Sequence, residues 1–370
     1  MASLPLALLR LARTEGVGPV TYRRLLARFA SPEDALAALP GLALAGGRLA
    51  PPRIPSLSEV EAEYRAVLRL KGQFLFLDQP GYPSMLAELA DAPPVLAVLG
   101  DVGLLHKSGI GVVGARNASA NGMRLATHMA AELAAELPVI SGLARGIDTA
   151  AHIGALQGGT TIAVVAGGLD IAYPSQNADL QRRIAKLGAV VAEAPWGTAP
   201  LGRHFPKRNR IIAGLCQGVV VIEAALRSGS LLTARLAAEA GREVFAVPGS
   251  PLDPRARGGN DLIRQGAYLV ETAEDVLMNL PQNYSIRHTG PAGFTEPTSL
   301  WEDEANDPQD SEHARSEILN LLGVEPVAVD EIARRCQLST AVIKAAILEL
   351  ELAGRIQSLT GDRVVLSEDP

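Results

Sequence analysis

Short apolar runs alternate with helical patterns through the middle of the chain, and this alternation predicts a sheet covered by helices. The runs are bounded by turn residues and rich in Val, Ile and Ala, as strands buried on both faces are. The predicted strands are residues 73–77, 110–113, 138–140, 161–165, 189–192, 218–222, 243–247 and 267–270. Helical patterns separate most of them, which indicates an α/β domain with a parallel sheet.

Helical periodicity also marks both ends of the chain. Residues 15–20 form a tight turn before a basic amphipathic helix at 21–29, a pattern that resembles a helix-hairpin-helix. The glycines of this turn either meet a phosphate or only make the turn sharp. Three short helical patterns and a hairpin fill 315–366, which predicts a winged helix. Its third helix has Lys344 as almost its only base, so duplex DNA and protein both remain open as its partner.

Composition divides the chain into four segments. They are a helical domain at 1–55, a sheet domain at 56–280, a flexible acidic linker at 281–311 and the winged helix at 312–370. No apolar run is long enough to span a bilayer, and the first residues lack the charge order of a secretory signal. Two distant cysteines exclude a disulfide framework. We expect a cytoplasmic protein without membrane contact.

Small residues follow four of the predicted strands and open helices at what should be one edge of the sheet. Helix N-termini present unpaired N–H groups and a partial positive charge, so this edge is suited to anions. Ligands of open α/β sheets bind in such a crevice at the carboxyl ends of the strands. The strand-end residues that we select as candidates are Gly114, Arg116, Gly142, Arg145, Gly168, Gly229 and Ser230.

A basic cluster in residues 202–214 is the strongest local signal in a chain of net charge −6. Its side chains give salt-dependent attraction to a phosphodiester backbone, and its aromatic ring can stack on a base. His204 can join the cluster, and Asn209 either clamps a ligand or caps the helix that follows. The candidates in this cluster are Phe205, Lys207, Arg208, Asn209 and Arg210. A solvated charged turn is the alternative interpretation.

Catalytic signatures do not accompany this cluster. The chain has no nucleoside triphosphate loop, zinc-protease motif or nucleophile elbow, and its six histidines lack metal-ligand spacing. The GxGxxG match at 109–114 places its glycines in and before the strand, whereas a dinucleotide fingerprint places them after it. Asp148 and His152 are either an acid–base pair or structural residues, with Asp148 capping its helix and His152 packed beside it, and we favour the second. Glu223, at a strand end, is either an acid or a partner for the donors of a loop, and we again favour the second. We predict no catalytic residues, cofactor or metal.

Several ordered motifs are similar to those of the DNA-processing protein A family, also called DprA or Smf. They are SGLARGIDTAAH at 141–152, FPKRNRIIAG at 205–214, GSLLTA at 229–234 and VPG at 247–249. The resemblance covers essentially the whole chain and is most specific in the core. It implies an extended Rossmann-like domain with an N-terminal helical domain of the sterile-alpha-motif or helix-hairpin-helix type and a C-terminal winged helix.

The resemblance also implies a function and partners. It implies a homodimeric protein of natural transformation that binds and protects incoming single-stranded DNA and loads the RecA recombinase onto it. Arg116, Lys207, Asn209 and Arg210 would then bind phosphate or a base edge, Phe205 would stack, and the glycine loops would admit the strand. The alternative is a nucleoside-monophosphate hydrolase of the lysine-decarboxylase-like family, whose PGGxGTxxE signature is replaced here by Ser-Gly-Ser at 228–230.

Overall fold

A computed structural model describes residues 3–281, 308–323, 325–336, 338–359 and 361–367. They cluster into two compact units, one of residues 62–285 and the other of residues 1–61 together with 286–370. The N-terminal helices are α1 (Ser3–Ala12), α2 (Pro19–Arg28), α3 (Pro32–Ala45) and α4 (Leu57–Arg69). Proline at their first turns starts α2 and α3, and the Ser31 side chain caps α3 by accepting the Asp34 N–H.

The unit of residues 62–285 is built around a nine-stranded sheet. Its first part contains β1 (Gln73–Phe76), α5 (Ser84–Ala87), β2 (Val95–Gly100), β3 (Gly109–Gly114), α6 (Ala120–Glu136), β4 (Val139–Ser141), α7 (Ile147–Gly158) and β5 (Thr161–Val165). Its second part contains α8 (Ala178–Leu187), β6 (Ala189–Ala192), α9 (His204–Leu215), β7 (Cys216–Ile222), α10 (Gly229–Glu239), β8 (Glu243–Ala246), α11 (Arg257–Arg264), β9 (Tyr268–Leu269) and α12 (Ala273–Met278).

The strand order is β1-β2-β6-β5-β4-β3-β7-β8-β9, and every pairing from β6 to β9 is parallel. The parallel sheet predicted from the alternation is therefore confirmed for this part. It is wrong for one edge, where β2 pairs antiparallel with both β1 and β6. The sequence pattern also does not predict β2, at Val95–Gly100. The three glycines of the GxGxxG match lie inside β3, so the match does not mark a dinucleotide turn.

The direction in which successive strands are added to the sheet reverses at β3, which lies between β4 and β7. Chain order runs outward from β3 on one side through β4, β5 and β6, and on the other side through β7, β8 and β9. Such a reversal leaves a crevice at the carboxyl ends of the two strands that flank it. Gly114 ends β3 in close contact with the Ile222 carbonyl of β7, where a Cβ would not fit. The strand ends β3 and β7 thus define the position of the site.

The other unit contains the C-terminal elements together with α1, α2, α3 and the first residues of α4, up to residue 61. The elements are α13 (Pro308–Leu321), β10 (Val327–Ala328), α14 (Val329–Cys336), α15 (Thr340–Leu352), β11 (Ile356–Leu359) and β12 (Arg363–Leu366). The strands form an antiparallel sheet of order β10-β12-β11. Three helices with this small sheet form the expected winged helix. Most of the predicted linker, residues 282–307, lies outside the described residues.

Helix α15 packs against α2 and α3 as well as within its own domain. One side of α15, with Ile343, Ile347 and Leu350, lies in the core of the winged helix. Leu348 and Leu352 are also buried but lie outside that core cluster. The Arg24 guanidinium of α2 donates to Glu351 at 3.2 Å. The third helix of the winged helix is therefore in contact with the N-terminal helices within this unit.

Candidate nucleic-acid interface

An open crevice of about 890 Å³ lies at the carboxyl ends of β3 and β7. The turn after β3, the first turns of α9 and the loop between β7 and α10 line it. The structure thus brings together residues that are far apart in sequence, since β3 and β7 are neighbouring parallel strands. The predicted residues that line the crevice are Gly114, Arg116, Phe205, Arg208, Asn209, Gly229 and Ser230.

The basic cluster lies on a helix rather than in a loop. The sequence predicts a helix that begins after the basic cluster, but α9 begins at His204 and contains all five residues selected from the cluster. The side chains therefore point in different directions around the helix axis. Lys207 is exposed, whereas Arg208, Asn209 and Arg210 are buried. Asn209 consequently does not cap α9, and its amide donates instead to the Gly229 carbonyl at 3.2 Å.

Arg116 and Phe205 form the cationic and aromatic part of the crevice, where Arg116 is exposed and Phe205 is half-buried. The Arg116 guanidinium lies over the Phe205 ring, 4.7 Å from its centroid. The Tyr173 ring lies 5.7 Å from the same centroid and is tilted by 58°. Tyr173 is not among the residues predicted from the sequence, although an aromatic residue in a strand-end loop is a usable signal. A guanidinium and two rings in one place offer both charge and stacking surface to a nucleotide.

Arg208 is a buried partner of the loop between β4 and α7. Its Nη1 donates to the Val164 carbonyl at 3.1 Å, and its guanidinium fills the space where a Cβ of residue 142 would lie. Burial, partly offset by the charge of Asp148, lowers the pKa of Arg208 to about 10, so the side chain remains charged at neutral pH. Residue 142 is therefore glycine because the Arg208 guanidinium occupies the space that a side chain would need. The predicted approach of a ligand to Gly142 is not the reason for the glycine.

Arg210 points away from the crevice. Its Nη2 donates to both carboxylate oxygens of Glu193, at 2.6 and 2.7 Å, and its Nη1 bonds the Asp91 carbonyl. This geometry corrects the expectation that Arg210 binds phosphate, because its guanidinium is already used inside the protein. Gly168 also has a structural role, since a Cβ at residue 168 would lie 2.6 Å from the Pro195 carbonyl oxygen.

Lys207 and Arg145 are exposed, but they are not among the residues that line the crevice. They lie in the first turns of α9 and in the loop before α7, next to the crevice-lining Arg208 and Ala144. Neither they nor Arg116 forms an ion pair with any residue that the structure describes. Arg227 and Arg255 also line the crevice but are not among the residues predicted from the sequence. Arg227 is exposed, whereas Arg255 pairs with Asp253 at 2.9 Å.

Asp148 and His152 do not form an acid–base pair. The Asp148 carboxylate accepts the backbone N–H groups of Gly142 and Ala144, at 3.1 and 3.3 Å. The His152 ring is fully buried, and its Nδ1 lies 2.8 Å from the Thr161 hydroxyl. Burial lowers the pKa of His152 to about 3, which keeps the ring neutral at physiological pH. Both residues are therefore structural, but the expectation that Asp148 caps α7 is wrong, because Gly146 is the N-cap and the Asp148 carboxylate is bound by the preceding loop.

Comparison with known proteins agrees with this architecture. Residues 73–281 match the DNA recombination-mediator protein A family, residues 4–66 a DprA-like N-terminal HHH domain, and residues 302–362 the DprA winged helix domain. The chain belongs to the DprA family. No helix within the described ranges is long and apolar enough to cross a membrane.

Individual relatives of this DprA-family chain are similar over much of its length. The DNA processing protein DprA of Streptococcus pneumoniae is 50% identical over 197 residues, which is 53% of this chain and 70% of the relative. Protein Smf of Escherichia coli is 41% identical over 293 residues, or 78% of this chain and 76% of the relative. These matches do not favour the alternative hydrolase family.

Two solved structures share the fold. The X-ray structure of DNA processing protein A from Streptococcus pneumoniae has a TM-score of 0.65 and 36% identity, and the match covers 76% of this chain and 99% of that one. The Helicobacter pylori DNA processing protein A has a TM-score of 0.51 and 28% identity, covering 56% of this chain and 98% of that one. The report of the second structure concerns its single-stranded DNA binding mode.

Proposed function

We propose that this chain binds single-stranded DNA in the crevice at the carboxyl ends of β3 and β7. The observation that carries the proposal is the exposed Arg116 guanidinium, stacked on Phe205 at 4.7 Å in an open crevice. A single strand offers phosphates and unstacked bases together, and this pair supplies a partner for each. The single-stranded DNA binding mode described for the Helicobacter pylori relative supports the same ligand class.

Within this proposal some of the predicted residues contact the DNA strand, and the others position those residues or maintain the fold around them. Arg116, Lys207 and Arg145 bind phosphates as exposed cations, Phe205 stacks a base, and the backbone of Gly229 and Ser230 approaches the strand. Arg227, which is exposed and lines the crevice, adds a further cation. The buried residues act by positioning: Asn209 holds the Gly229 loop, while Arg208 orders the loop that carries Arg145. Gly114, Gly142, Gly168 and Arg210 maintain the framework.

We further propose that the protein is non-enzymatic, acts as a homodimer in natural transformation, and passes the strand to the RecA recombinase. Membership of a family described as recombination mediators supports this role. The carboxylate of Asp148, the most deeply buried acid near the crevice, already accepts two backbone amides, which is consistent with binding rather than turnover. RecA-dependent strand exchange measured with and without the protein, on DNA pre-coated with single-strand binding protein, tests the transfer step.

Binding itself is tested by fluorescence anisotropy of a labelled oligothymidylate. The variant Arg116→Ala/Lys207→Ala removes two exposed cations, and we expect at least about a tenfold loss of affinity. Arg183→Ala/Lys186→Ala removes two exposed cations of α8, away from the crevice, and should bind like the wild type. Equal losses in both variants would show only a general charge effect, and no loss in either would overturn the proposed site.

A further inference from the structure

Glu223 occupies the N-terminus of α6 with its own carboxylate. This residue follows β7, and its Oε2 accepts the Ser119 backbone N–H at 2.8 Å. Its Oε1 accepts the hydroxyl of the same serine. Ser119 is the N-cap of α6, and its Oγ also accepts the Gly122 N–H at 2.9 Å. A carboxylate from a distant strand end is therefore bound at the start of a 17-residue helix.

Two further features show that the surroundings accommodate this carboxylate. Glu223 has a φ of +51°, a left-handed conformation that a residue with a Cβ adopts at an energetic cost. At residue 122 a Cβ would lie 2.6 Å from the carboxyl carbon of Glu223, so a side chain there would displace the carboxylate from this position. The left-handed backbone of Glu223 and the absence of a side chain at Gly122 both allow the Glu223 carboxylate to reach the start of α6.

The position of this contact within the fold indicates its role. The turn after the first strand of a doubly wound sheet, where the next helix begins, is where such folds bind a nucleotide phosphate. Backbone N–H groups and the helix dipole favour an anion there. In this chain β3 is that strand and α6 is that helix, and the anion is part of the protein.

We infer that Glu223 is a built-in substitute for phosphate, a positioning and specificity-determining residue that holds the Gly114–Ser119 turn and closes the start of α6 to free nucleotide phosphates. Arg116 lies in this turn, so the contact also fixes where its guanidinium is presented. The specificity part rests on the proposed function: with this position filled, the crevice accepts a polynucleotide through exposed cations and rejects a mononucleotide. The substitution of phosphate by carboxylate does not depend on what the crevice binds.

Phosphate rescue of thermal stability tests the inference on the full-length protein. Glu223→Gly removes the carboxylate and suits the positive φ, and Glu223→Gln keeps the side-chain shape while removing the charge. Both variants should melt at lower temperature than the wild type in chloride. In inorganic phosphate at equal ionic strength, the glycine variant should regain about 2 °C or more, because an anion that binds only the folded state stabilises it.

The matched control is Asp34→Asn, which removes an exposed carboxylate from the first turn of α3. This variant and the wild type should show no phosphate-specific shift, and the glutamine variant should show a smaller shift than the glycine variant. No phosphate-specific shift in Glu223→Gly, or an equal shift in Asp34→Asn, would overturn the inference.

A second readout separates this inference from the proposed function. Labelled adenosine monophosphate should bind Glu223→Gly more tightly than the wild type, and oligothymidylate should bind it more weakly because the Arg116 turn is less ordered. Phosphate rescue without any oligothymidylate binding by the wild type would leave the inference intact and refute the proposed function. Oligothymidylate binding by the wild type without phosphate rescue of Glu223→Gly would support the proposed function and refute the inference.

Discussion

Helices α2 and α9 both carry several basic residues, yet their charges have different partners in the structure. In α2 the Arg24 guanidinium donates to Glu351 at 3.2 Å and to the Ser358 hydroxyl at 2.8 Å. In α9 the charge of Lys207 remains exposed and unpaired within the described part of the chain, close to Phe205. The comparison shows that basic residues indicate a nucleic-acid site only where acidic partners have not already neutralised them.

The same distinction divides α9 itself. Arg210 is paired with Glu193, and Arg208 is buried beside Gly142, whereas Lys207 faces solvent. Buried guanidinium groups with internal partners stabilise the fold, and exposed ones remain available to a ligand. Substitutions in the two classes should therefore change different measurements, one the free energy of unfolding and the other the affinity for DNA.

The largest expected effect is on stability, from Arg210→Ala. This change leaves the Glu193 carboxylate without its bidentate partner in a half-buried position, and we expect a loss of about 3 kcal/mol in the free energy of unfolding. Urea denaturation measures it, with the exposed Arg203→Ala as the matched control. Affinity for oligothymidylate per folded molecule should stay unchanged. A large loss of affinity at full stability would place Arg210 in the binding site.

Phe205→Leu should have the next largest effect, on binding. Leucine keeps apolar bulk but removes the ring that Arg116 covers, and base stacking on such a ring is worth about 1–3 kcal/mol. We expect about a tenfold weaker affinity for oligothymidylate by anisotropy. Phe29→Leu is the control, since Arg28 lies over that ring at 5.8 Å in the other unit. Equal effects of the two changes would contradict the assignment.

Arg24→Ala should produce a smaller loss, confined to the terminal unit. The ion pair with Glu351 is partly exposed, so we expect about 1 kcal/mol. Amide hydrogen exchange should become faster in α2 and α15, while the affinity for oligothymidylate stays constant. Arg53→Ala removes a more exposed pair with Glu59 and should change exchange less. A fall in oligothymidylate affinity caused by Arg24→Ala alone would assign DNA binding to α2.

The smallest expected effect is a pH dependence due to His204. Its partial burial, with the charges of Arg203 and Lys207, lowers its pKa, so the ring is neutral at pH 7. Protonation adds a positive charge beside the proposed phosphates, so affinity should be level from about pH 8 to 7 and rise about twofold only as the pH falls below the ordinary histidine pKa of about 6.5. His204→Ala should abolish that rise, and His128→Ala should not. A fall in affinity on acidification would contradict the sign.

Local patterns were sufficient to predict most of the sheet and the winged helix. Buried parallel strands are continuous apolar runs, so β5 and β6 were predicted with the bounds that the structure has. Strand β2 was missed because it follows two prolines, and its pairing with β6 is a long-range antiparallel contact. Its apolar run alone does not distinguish a strand from a buried helix.

The candidate site could be predicted only in part. Proximity of the strand ends follows from the topology, and this brought Arg116 and Phe205 together as expected. The roles of Arg208 and Arg210 depend on Gly142 and Glu193, which lie elsewhere in the chain, and no local count of charges reveals such partners. The strand-end position of Glu223 predicts that it accepts the donors of a loop, but its particular partner, Ser119 at the start of α6, lies 104 residues away and follows only from the packing.

The salt dependence of oligothymidylate binding tests the central claim most directly. For single strands, the slope of log affinity against log salt concentration is about −0.7 per phosphate contact. If Arg116 and Lys207 each contact one phosphate, Arg116→Ala/Lys207→Ala should reduce the magnitude of the slope by about 1.4 relative to the wild type. An unchanged slope with unchanged affinity would show that these exposed cations, and the crevice they flank, do not hold the strand.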